Sequence, residues 1–252
     1  ESIAGTNVIL TEVELSENVT GVVVGPTAPG NGGAFHITGS GTATITGSSI
    51  LDNTAANEGG GLWNGTSVMN VTSCTISGNM ASGAAADSGG GGIYINNGGT
   101  LNLLNTTISN NIADGTAGSG GGILVDNGAT LNAVQTPIPG NRSNRAGGGI
   151  ESVANTTTNL TDVDLMNNNT GVAPAIAAPG NGGGFHITGN GNATIIRGNI
   201  TNNVAGLEGG GLWNGAGTMT VTDAVITGNS ASGNTDLNNN GGGGVFNQIG
   251  TV

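Results

Sequence analysis

Apolar and polar residues alternate one by one through the regular stretches of this chain. In "GTLNLLNTTISNN" the apolar or β-branched positions are Leu101, Leu103, Thr106 and Ile108, with polar residues between them. A period of two residues is typical of β-strands that bury one face. Wherever apolar residues fall at helical spacing, a glycine run interrupts them, so the pattern predicts no helix. We therefore expect an all-β protein made of short strands.

Two sequence marks recur along the chain and divide it into units of about 30 residues, a length typical of repeat proteins. The first mark is a glycine run followed by one apolar residue, and the second is an apolar residue with Asn three positions later. The apolar residues of the first mark are Phe35, Leu62, Ile93, Ile123, Ile150, Phe185, Leu212 and Val245. Those of the second mark are Leu15, Ile50, Ile76, Ile108, Ile138, Leu165, Ile200 and Ile226.

The spacing of the two marks indicates the architecture. From each first mark to the next second mark the step is 14 or 15 residues, whereas 5 to 13 residues separate each Asn from the next glycine run. Stacked solenoids show this asymmetry, because their core strands keep register while insertions collect in loops at one edge. We predict a right-handed, single-stranded parallel β-helix of about eight coils, each with two or three short strands.

A longer repeat of 150 residues lies on top of the coils. "NEGGGLWNG" at 57–65 returns as "LEGGGLWNG" at 207–215, so that Trp63 corresponds to Trp213, and His36 to His186. Five coils were therefore duplicated as a block. We expect a single β-helix domain over 1–252, in which block 1–150 is followed by the partial duplicate 151–252.

The Asn of the second mark ends each predicted strand and is expected to stack inside the coil as a ladder. Its side chain tolerates a left-handed turn and bonds to neighbouring backbone groups, and Asn ladders are typical of stacked parallel strands. The predicted ladder consists of Asn18, Asn53, Asn79, Asn111, Asn141, Asn168, Asn203 and Asn229.

Composition narrows the class of partner. The 252 residues include 52 Gly but only 2% aromatics, which suits a narrow coil filled by Ile, Leu, Val and Thr. The net charge is −12, with three Arg and no Lys, so the chain lacks the cations that a nucleic acid or an anionic membrane surface requires. No stretch approaches the roughly 18 apolar residues of a membrane-spanning helix. The single cysteine, Cys74, lies in a strand-like segment and is expected to be a small buried residue.

The two histidines, His36 and His186, are expected five coils apart, about 24 Å at the usual strand spacing. They cannot meet in one molecule, and the block duplication explains them. Acidic residues do not converge in the sequence, and there is no Lys to act as a base. We predict no enzymatic activity and no cofactor.

Four carboxylates are weak candidates for calcium. Glu12 and Glu14 alternate on an early predicted strand and would share one face. Asp162 and Asp164 are the corresponding residues of the second block. Calcium takes several oxygen ligands, but a solvated outer face explains the same pattern more simply.

Trp63 and Trp213 are candidates for stacking on sugars. Packing against a neighbouring coil is the favoured interpretation, because each tryptophan comes just after a turn. An ice-binding face would need a Thr-x-Thr pattern in many coils, and "TATIT" and "TMTVT" supply it in only two or three.

The chain has ten Asn-x-Ser/Thr sequences, which are candidate glycosylation sites in a secreted protein. A chain rich in Asn and Thr also forms many of them by chance. Their asparagines are Asn18, Asn64, Asn70, Asn105, Asn141, Asn155, Asn159, Asn168, Asn192 and Asn199.

The two marks resemble the repeats of chlamydial-type polymorphic outer-membrane proteins and of related surface proteins built as right-handed parallel β-helices. The resemblance rests on "GGAF" at 32–35, "GGGL" at 59–62 and "ILDN" at 50–53 with their counterparts, and it covers essentially the whole chain. The chain differs in using Ile or Leu where Phe is common before the Asn. The resemblance implies an adhesin, surface-layer or passenger role outside the cell, and it supplies no catalytic residues.

These patterns predict an extracellular or cell-surface structural protein. Neither end of the sequence shows a cap, so we expect either an excerpt of a longer protein or copies of the chain that stack head to tail into a filament or sheath. The nearly uncharged end segments permit such stacking. An adhesin stalk that meets extracellular glycans or a host surface is a second form of the same hypothesis. The alternative is a polysaccharide-binding or polysaccharide-cleaving module.

Overall fold

The computed structural model describes residues 2, 5–21, 30–171, 180–233 and 241–252. Over these residues the chain is all-β, and each strand pairs in parallel with its equivalents in the coils before and after it. The predicted parallel β-helix is therefore confirmed, while its right-handedness stays a prediction. Within the described residues no helix is long and apolar enough to span a bilayer.

Each complete coil contributes four short strands, not the two or three that we expected, and the strands stack in four rows. The first row consists of β1 (Thr6–Thr11), β5 (Gly41–Thr46), β9 (Val68–Thr72), β13 (Thr100–Leu104), β17 (Thr130–Val134), β21 (Thr157–Thr161), β25 (Asn192–Ile196) and β29 (Thr218–Thr222). The second row consists of β2 (Glu14–Ser16), β6 (Ser49–Leu51), β10 (Thr75–Ser77), β14 (Thr107–Ser109), β18 (Ile138–Pro139), β22 (Leu165–Met166), β26 (Asn199–Thr201) and β30 (Val225–Thr227).

The other two rows hold the shortest strands. The third row consists of β3 (Val19–Thr20), β7 (Thr54–Ala55), β11 (Met80–Ala81), β15 (Ile112–Ala113), β19 (Arg142–Ser143), β23 (Asn169–Thr170), β27 (Val204–Ala205) and β31 (Ser230–Ala231). The fourth row consists of β4 (Phe35–Ile37), β8 (Leu62–Asn64), β12 (Ile93–Ile95), β16 (Ile123–Val125), β20 (Ile150–Ser152), β24 (Phe185–Ile187), β28 (Leu212–Asn214) and β32 (Val245–Asn247).

Residues with left-handed backbone divide each coil into these short strands. One of them, such as Ser73 with φ of 53°, separates the first row from the second. A further one precedes every ladder Asn at the corner between the second and third rows. In the eight successive coils these residues are Glu17, Asp52, Gly78, Asn110, Gly140, Asn167, Asn202 and Gly228. The left-handed turn that we expected at the ladder Asn itself therefore lies one residue earlier, which leaves the Asn free to bond to the next coil.

The glycine runs allow backbones of adjacent coils to approach closely. Only the first glycine of the run at 59–61 has a left-handed conformation, with φ of 63° at Gly59. A Cβ on Gly60 would collide with the carbonyl oxygen of Gly91 in the next coil and with the backbone of Met80. The runs therefore need glycine for two reasons: the left-handed turn at the first position and the close approach of adjacent backbones at the second.

The core lies inside the coils and is filled by the apolar residues of the two sequence marks together with the inward-facing apolar residues of the first-row strands. Ile50, Ile76 and Ile108 are Cα partners in the second row and are fully buried. Cys74 is buried beside them, where it accepts the backbone N–H of Ser48 at 3.4 Å and its own N–H donates to Thr106 Oγ1 at 3.3 Å. Burial raises the pKa of the Cys74 thiol. This residue therefore belongs to the packing of the coil.

Two prolines divide the second row into a sheet of β2, β6, β10 and β14 and a sheet of β18, β22, β26 and β30. Pro137 and Pro139 have no N–H to donate to the coil before them. Their carbonyl oxygens still accept from Ile108 at 3.0 Å and from Asn110 at 3.1 Å. The coil therefore stays in place although the strand ladder is interrupted.

The block duplication appears as a shift of five strands along each row. "FHI" forms both β4 and β24, and "LWN" forms both β8 and β28. The longest of the variable segments between Asn and the next glycine run include residues 22–29, 172–179 and 234–240, which lie outside the described residues.

Candidate functional site

The middle residues of the fourth-row strands form a column on the side of the sheet opposite the core. Coil-to-coil pairing aligns them in register, and the column combines aromatic rings with an acid and two histidines. It consists of His36, Trp63, Tyr94, Leu124, Glu151, His186, Trp213 and Phe246. This column, which combines acidic, aromatic and imidazole side chains, is the candidate site in the described part of the fold.

Both tryptophans are packed between rings of neighbouring coils. The Trp63 ring centroid lies 4.2 Å from that of His36 and 6.1 Å from that of Tyr94, and the Trp63 and Tyr94 planes differ by 4°. Trp213 lies likewise between His186, at 4.1 Å, and Phe246, at 6.0 Å. Only 7% of each tryptophan is exposed. A sugar could stack on either indole only by displacing one of these rings.

A glutamate near each tryptophan accepts a hydrogen bond from its indole N–H. Trp63 Nε1 donates to Glu58 Oε2 at 3.0 Å, and Trp213 Nε1 donates to Glu208 Oε2 at the same distance. Asn31 Nδ2 also donates to Glu58 Oε2 at 3.2 Å. Sequence reasoning missed these contacts, although the repeated phrases 57–65 and 207–215 both preserve the Glu five positions before the Trp.

Glu58, Trp63, Tyr94 and Asp126 form an acidic-aromatic cluster. The Tyr94 hydroxyl donates to Asp126 Oδ2 at 3.1 Å. Burial raises the pKa values of both Glu58 and Asp126 above their ordinary range. Burial also raises the pKa of Tyr94, and the negative charges of Glu58 and Asp126 raise it further. The cluster therefore retains protons more readily than free carboxylates do.

Glu151 and His186 form a second, more deeply buried group in adjacent coils. His186 Nδ1 lies 2.7 Å from Glu151 Oε2, and both side chains are almost wholly inaccessible. Thr188 Oγ1 donates to Glu151 Oε1 at 2.5 Å, and Arg145 lies 4.0 Å from the same oxygen. Among the described residues Oε2 has no partner in hydrogen-bond geometry, so the approach of His186 Nδ1 is a close contact rather than an aligned hydrogen bond. Glu151 and His186 are therefore enclosed within the fold and do not face solvent.

Divergence between the two blocks leaves one amide oxygen without a partner. In the first block Asn57 Nδ2 donates to Asn31 Oδ1 at 3.2 Å. In the second block Leu207 replaces Asn57, and Oδ1 of the corresponding Asn181 is buried with no hydrogen-bond partner. The orphaned oxygen follows directly from this one difference between the repeated phrases.

The eight asparagines proposed as a ladder form one continuous hydrogen-bonded column. At each step the backbone N–H and Nδ2 of one Asn both donate to Oδ1 of the next, as from Asn141 to Asn168 at 2.9 and 3.1 Å. Asn18 and Asn229 at the two ends are at least partly accessible, and the six residues between them are fully buried. The same pairing occurs at every step from Asn18 to Asn229.

The carboxylates considered as calcium ligands lie at and near one corner of the coil. Glu12 has a left-handed backbone, with φ of 52°, and lies between β1 and β2, so it does not alternate with Glu14 on one strand as we expected. The corner ends the strand before the alternation can continue. Glu14 Oε1 accepts from the Ser16 hydroxyl at 2.8 Å.

The corresponding aspartates of the second block bond to the next coil. Arg197 donates to both oxygens of Asp162 at 2.6 and 2.9 Å, which lowers the pKa of that carboxyl. Asp164 Oδ1 accepts the backbone N–H and Nδ2 of Asn199 at 2.9 and 2.8 Å. Over the described ranges, no three His, Cys, Asp or Glu side chains come together in a way that could hold a metal ion.

The candidate glycosylation sites differ in accessibility. Asn64, Asn141 and Asn168 are fully buried, and Asn64 Nδ2 donates to the carbonyl of Thr100 at 3.0 Å. A glycan on these three would prevent the coils from stacking. Asn70 is half-buried, and the exposed candidates are Asn18, Asn105, Asn155, Asn159, Asn192 and Asn199.

Comparison of the chain with protein-family models, with curated proteins and with solved structures found no match in any of the three.

Proposed function

We propose that the chain forms the rod of an extracellular surface protein, whose coils associate end to end into a filament or sheath or support an adhesive region. The observation behind the proposal is the polarity of the Asn ladder. Every Asn from Asn18 to Asn203 donates to the oxygen of the next one, so the two ends of the stack differ and complement each other. A coil from a second copy would extend the ladder in the same direction.

The edge coils have the surfaces that such stacking requires. In the first coil Leu10 and Leu15 are only partly buried, and in the last coil Val221 and Ile226 are in the same state. Strands β1–β4 form one edge of the four rows and β29–β32 the other, and single bridges from Ser2 to β4 and from Thr251 to β29 cover only part of these edges. Unpaired strand edges next to apolar side chains are templates for another chain.

The net charge favours association end to end over association side by side. A net charge of −12 keeps a long rod soluble and slow to associate sideways. The repeats of glycines and apolar residues also resemble those of polymorphic outer-membrane proteins. The alternative of a polysaccharide module gains no support from Trp63 and Trp213, because neighbouring rings cover both faces of each indole.

End-to-end association can be tested with one substitution at an edge. Ile226→Lys places an inward-pointing charge in the last coil, whereas Thr227→Lys adds the same charge on the exposed side of the same strand, β30. We expect concentration-dependent oligomers or filaments from the wild-type chain and from Thr227→Lys, and monomers from Ile226→Lys. Light scattering and negative-stain electron microscopy measure the outcome. A wild-type chain that stays monomeric at high concentration would contradict the filament form of the proposal.

The cellular location needs a separate measurement. Antibody against the chain should label intact cells of the source organism, and protease added outside those cells should remove the label. Labelling only after lysis would contradict the surface role.

A further inference from the structure

The outward face of the first row is an ordered array of side chains. Its strands are the longest in the fold, at five or six residues, and each has three positions that point away from the core. Pairing is in register throughout, as between Thr100 and Thr130 and between Asn102 and Asn132. Equivalent side chains therefore form straight columns across all eight strands.

Three columns cover this face, and all of their positions are exposed or half-buried. The first column is Asn7, Thr42, Val68, Thr100, Thr130, Thr157, Asn192 and Thr218. The second is Ile9, Thr44, Asn70, Asn102, Asn132, Asn159, Thr194 and Thr220. The third is Thr11, Thr46, Thr72, Leu104, Val134, Thr161, Ile196 and Thr222.

The composition of the face differs from that of the whole chain. Thr is its commonest residue, and the others are Asn and aliphatic side chains. None of these positions is charged, although the chain has a net charge of −12, and none is aromatic. The face therefore offers hydroxyls, methyl groups and carboxamides without any ion to orient the surrounding water.

The centre of the array is held rigid by hydrogen bonds between its own side chains. Asn102 Nδ2 donates to Asn70 Oδ1 at 2.8 Å, Asn132 Nδ2 to Asn102 Oδ1 at 2.9 Å, and Asn159 Nδ2 to Asn132 Oδ1 at 2.9 Å. This outer ladder fixes the amides in one orientation over four coils. Rotamer freedom that would otherwise be lost on binding is already restricted here.

A rigid array of this kind matches an ordered layer of water. Adjacent strands lie about 4.8 Å apart, and alternate residues along one strand lie about 6.7 Å apart. The outward side chains, whether Thr, Asn or aliphatic, therefore repeat at fixed distances in two dimensions. Water held at such regular positions loses little further freedom when it joins a crystal. We infer that the outward face of the first row is an ice-binding surface.

Other partners fit this face less well. Crystalline polysaccharides are usually held by stacking on aromatic rings, and the face has none, since both tryptophans lie covered in the fourth row. A charged polymer would meet no side chain of opposite charge on this face. Only two strands, β5 and β29, have Thr at all three outward positions, which is why the pattern within single strands does not favour an ice-binding face. The array arises instead from the register between coils, which aligns Thr side chains of different strands.

The test measures ice growth with the full chain. Thr100→Lys together with Thr130→Lys places two charges in the middle of the face, and Thr75→Lys is the matched control on the exposed side of β10 in the second row. Circular dichroism establishes that all variants keep the β-fold. Thermal hysteresis and inhibition of ice recrystallisation are then measured at equal concentrations.

We expect the wild-type chain and Thr75→Lys to inhibit recrystallisation equally. The double variant should lose activity by at least about tenfold, because each lysine would have to give up its hydration at the ice surface. An inactive wild-type chain, or equal activity in the double variant, would overturn the inference. Binding of the wild-type chain to microcrystalline cellulose or chitin without any effect on ice would also overturn it. The result is independent of end-to-end association, since Ile226→Lys leaves this face unchanged.

Discussion

Asn111 Oδ1 accepts two hydrogen bonds from Asn79, one from the backbone N–H at 3.0 Å and one from Nδ2 at 2.9 Å. A single carboxamide oxygen thereby satisfies a main-chain donor and a side-chain donor of the neighbouring coil. Asn111 Nδ2 in turn donates to Asn141 Oδ1 and to the carbonyl of Ile76, both at 3.0 Å. Buried polar groups of adjacent coils are joined in this way at each step of the ladder, so each Asn stabilises two interfaces.

Removal of one interior ladder Asn should be costly. Asn111→Ala leaves the buried backbone N–H of Asn79 without an acceptor and removes one acceptor of Asn79 Nδ2, which keeps its bonds to the carbonyls of Ile50 and Ser77. We expect the free energy of unfolding to fall by about 3 kcal/mol. Asn18→Ala is the matched control at the exposed end of the ladder, and it should lower the free energy by less than about 1 kcal/mol. Urea denaturation followed by circular dichroism measures both. Equal effects at the two positions would mean that the ladder does not hold the coils together.

The buried pair of Glu151 and His186 should show energetic coupling. Glu151→Gln leaves His186 and Arg145 facing an uncharged amide. We expect the free energy of unfolding to fall by about 3 kcal/mol, because the remaining partner of a buried pair then stays buried without its counterpart. His186→Gln should lower the stability as well. In the double variant the two losses should fall short of their sum by about 1–2 kcal/mol. Strict additivity in this double-mutant cycle would show that the two side chains do not interact.

Stability should rise when the solution is acidified, because of the acidic-aromatic cluster. Burial raises the pKa values of Glu58 and Asp126 above their ordinary values of 4.5 and 3.8. Between the ordinary and the raised values the folded chain holds more protons than the unfolded chain, so stability falls as pH rises through this window. Glu58→Gln and Asp126→Asn should stabilise the protein at neutral pH and flatten the pH dependence. Thermal melts from the ordinary carboxylate range up to neutral pH measure the slope.

Asp162 provides a control of opposite sign for this pH dependence. Arg197 lowers the pKa of the Asp162 carboxyl below 3.8, so its contribution is present at neutral pH and is lost as pH falls through the lowered value. Asp162→Asn should therefore leave the slope between neutral pH and the ordinary carboxylate range unchanged. A slope that survives in the Glu58→Gln, Asp126→Asn double variant would point to other groups.

The register of the coils could be predicted from sequence because two marks recur at nearly constant spacing. Leu62 and Ile93 both follow a glycine run, and they are Cα partners in the fourth row. The first mark locates the core because the fold needs two things at that place: glycine where adjacent backbones approach closely, and then an apolar residue that points inward. The number of strands per coil was wrong, since the left-handed corners that divide them are occupied by ordinary residues such as Ser73 and Gln135.

The candidate site was harder to predict, because its contacts join coils rather than neighbours in sequence. Glu151 and His186 lie 35 positions apart, with a segment of variable length between them. Each follows the apolar residue of a glycine-run mark, so aligning the marks of successive coils would have placed them side by side. The outward columns of the first row could not be predicted from single strands for the same reason. A strand such as 100–104 contains only one Thr, and the column forms only when the strands are aligned.

Restoring the lost partner of Asn181 should stabilise the second block. Leu207→Asn recreates the pairing of Asn57 with Asn31, in which Nδ2 donates to the carboxamide oxygen at 3.2 Å. Because Asn181 Oδ1 is buried without a partner, a new donor there should raise the free energy of unfolding by about 1 kcal/mol. Leu207→Ala is the control, since it removes the leucine side chain without supplying a donor. The expected order of stability is Leu207→Asn above wild type above Leu207→Ala in urea denaturation. If Leu207→Asn were no more stable than Leu207→Ala, the unpaired oxygen would have no measurable cost, and divergence at this position would be neutral for the fold.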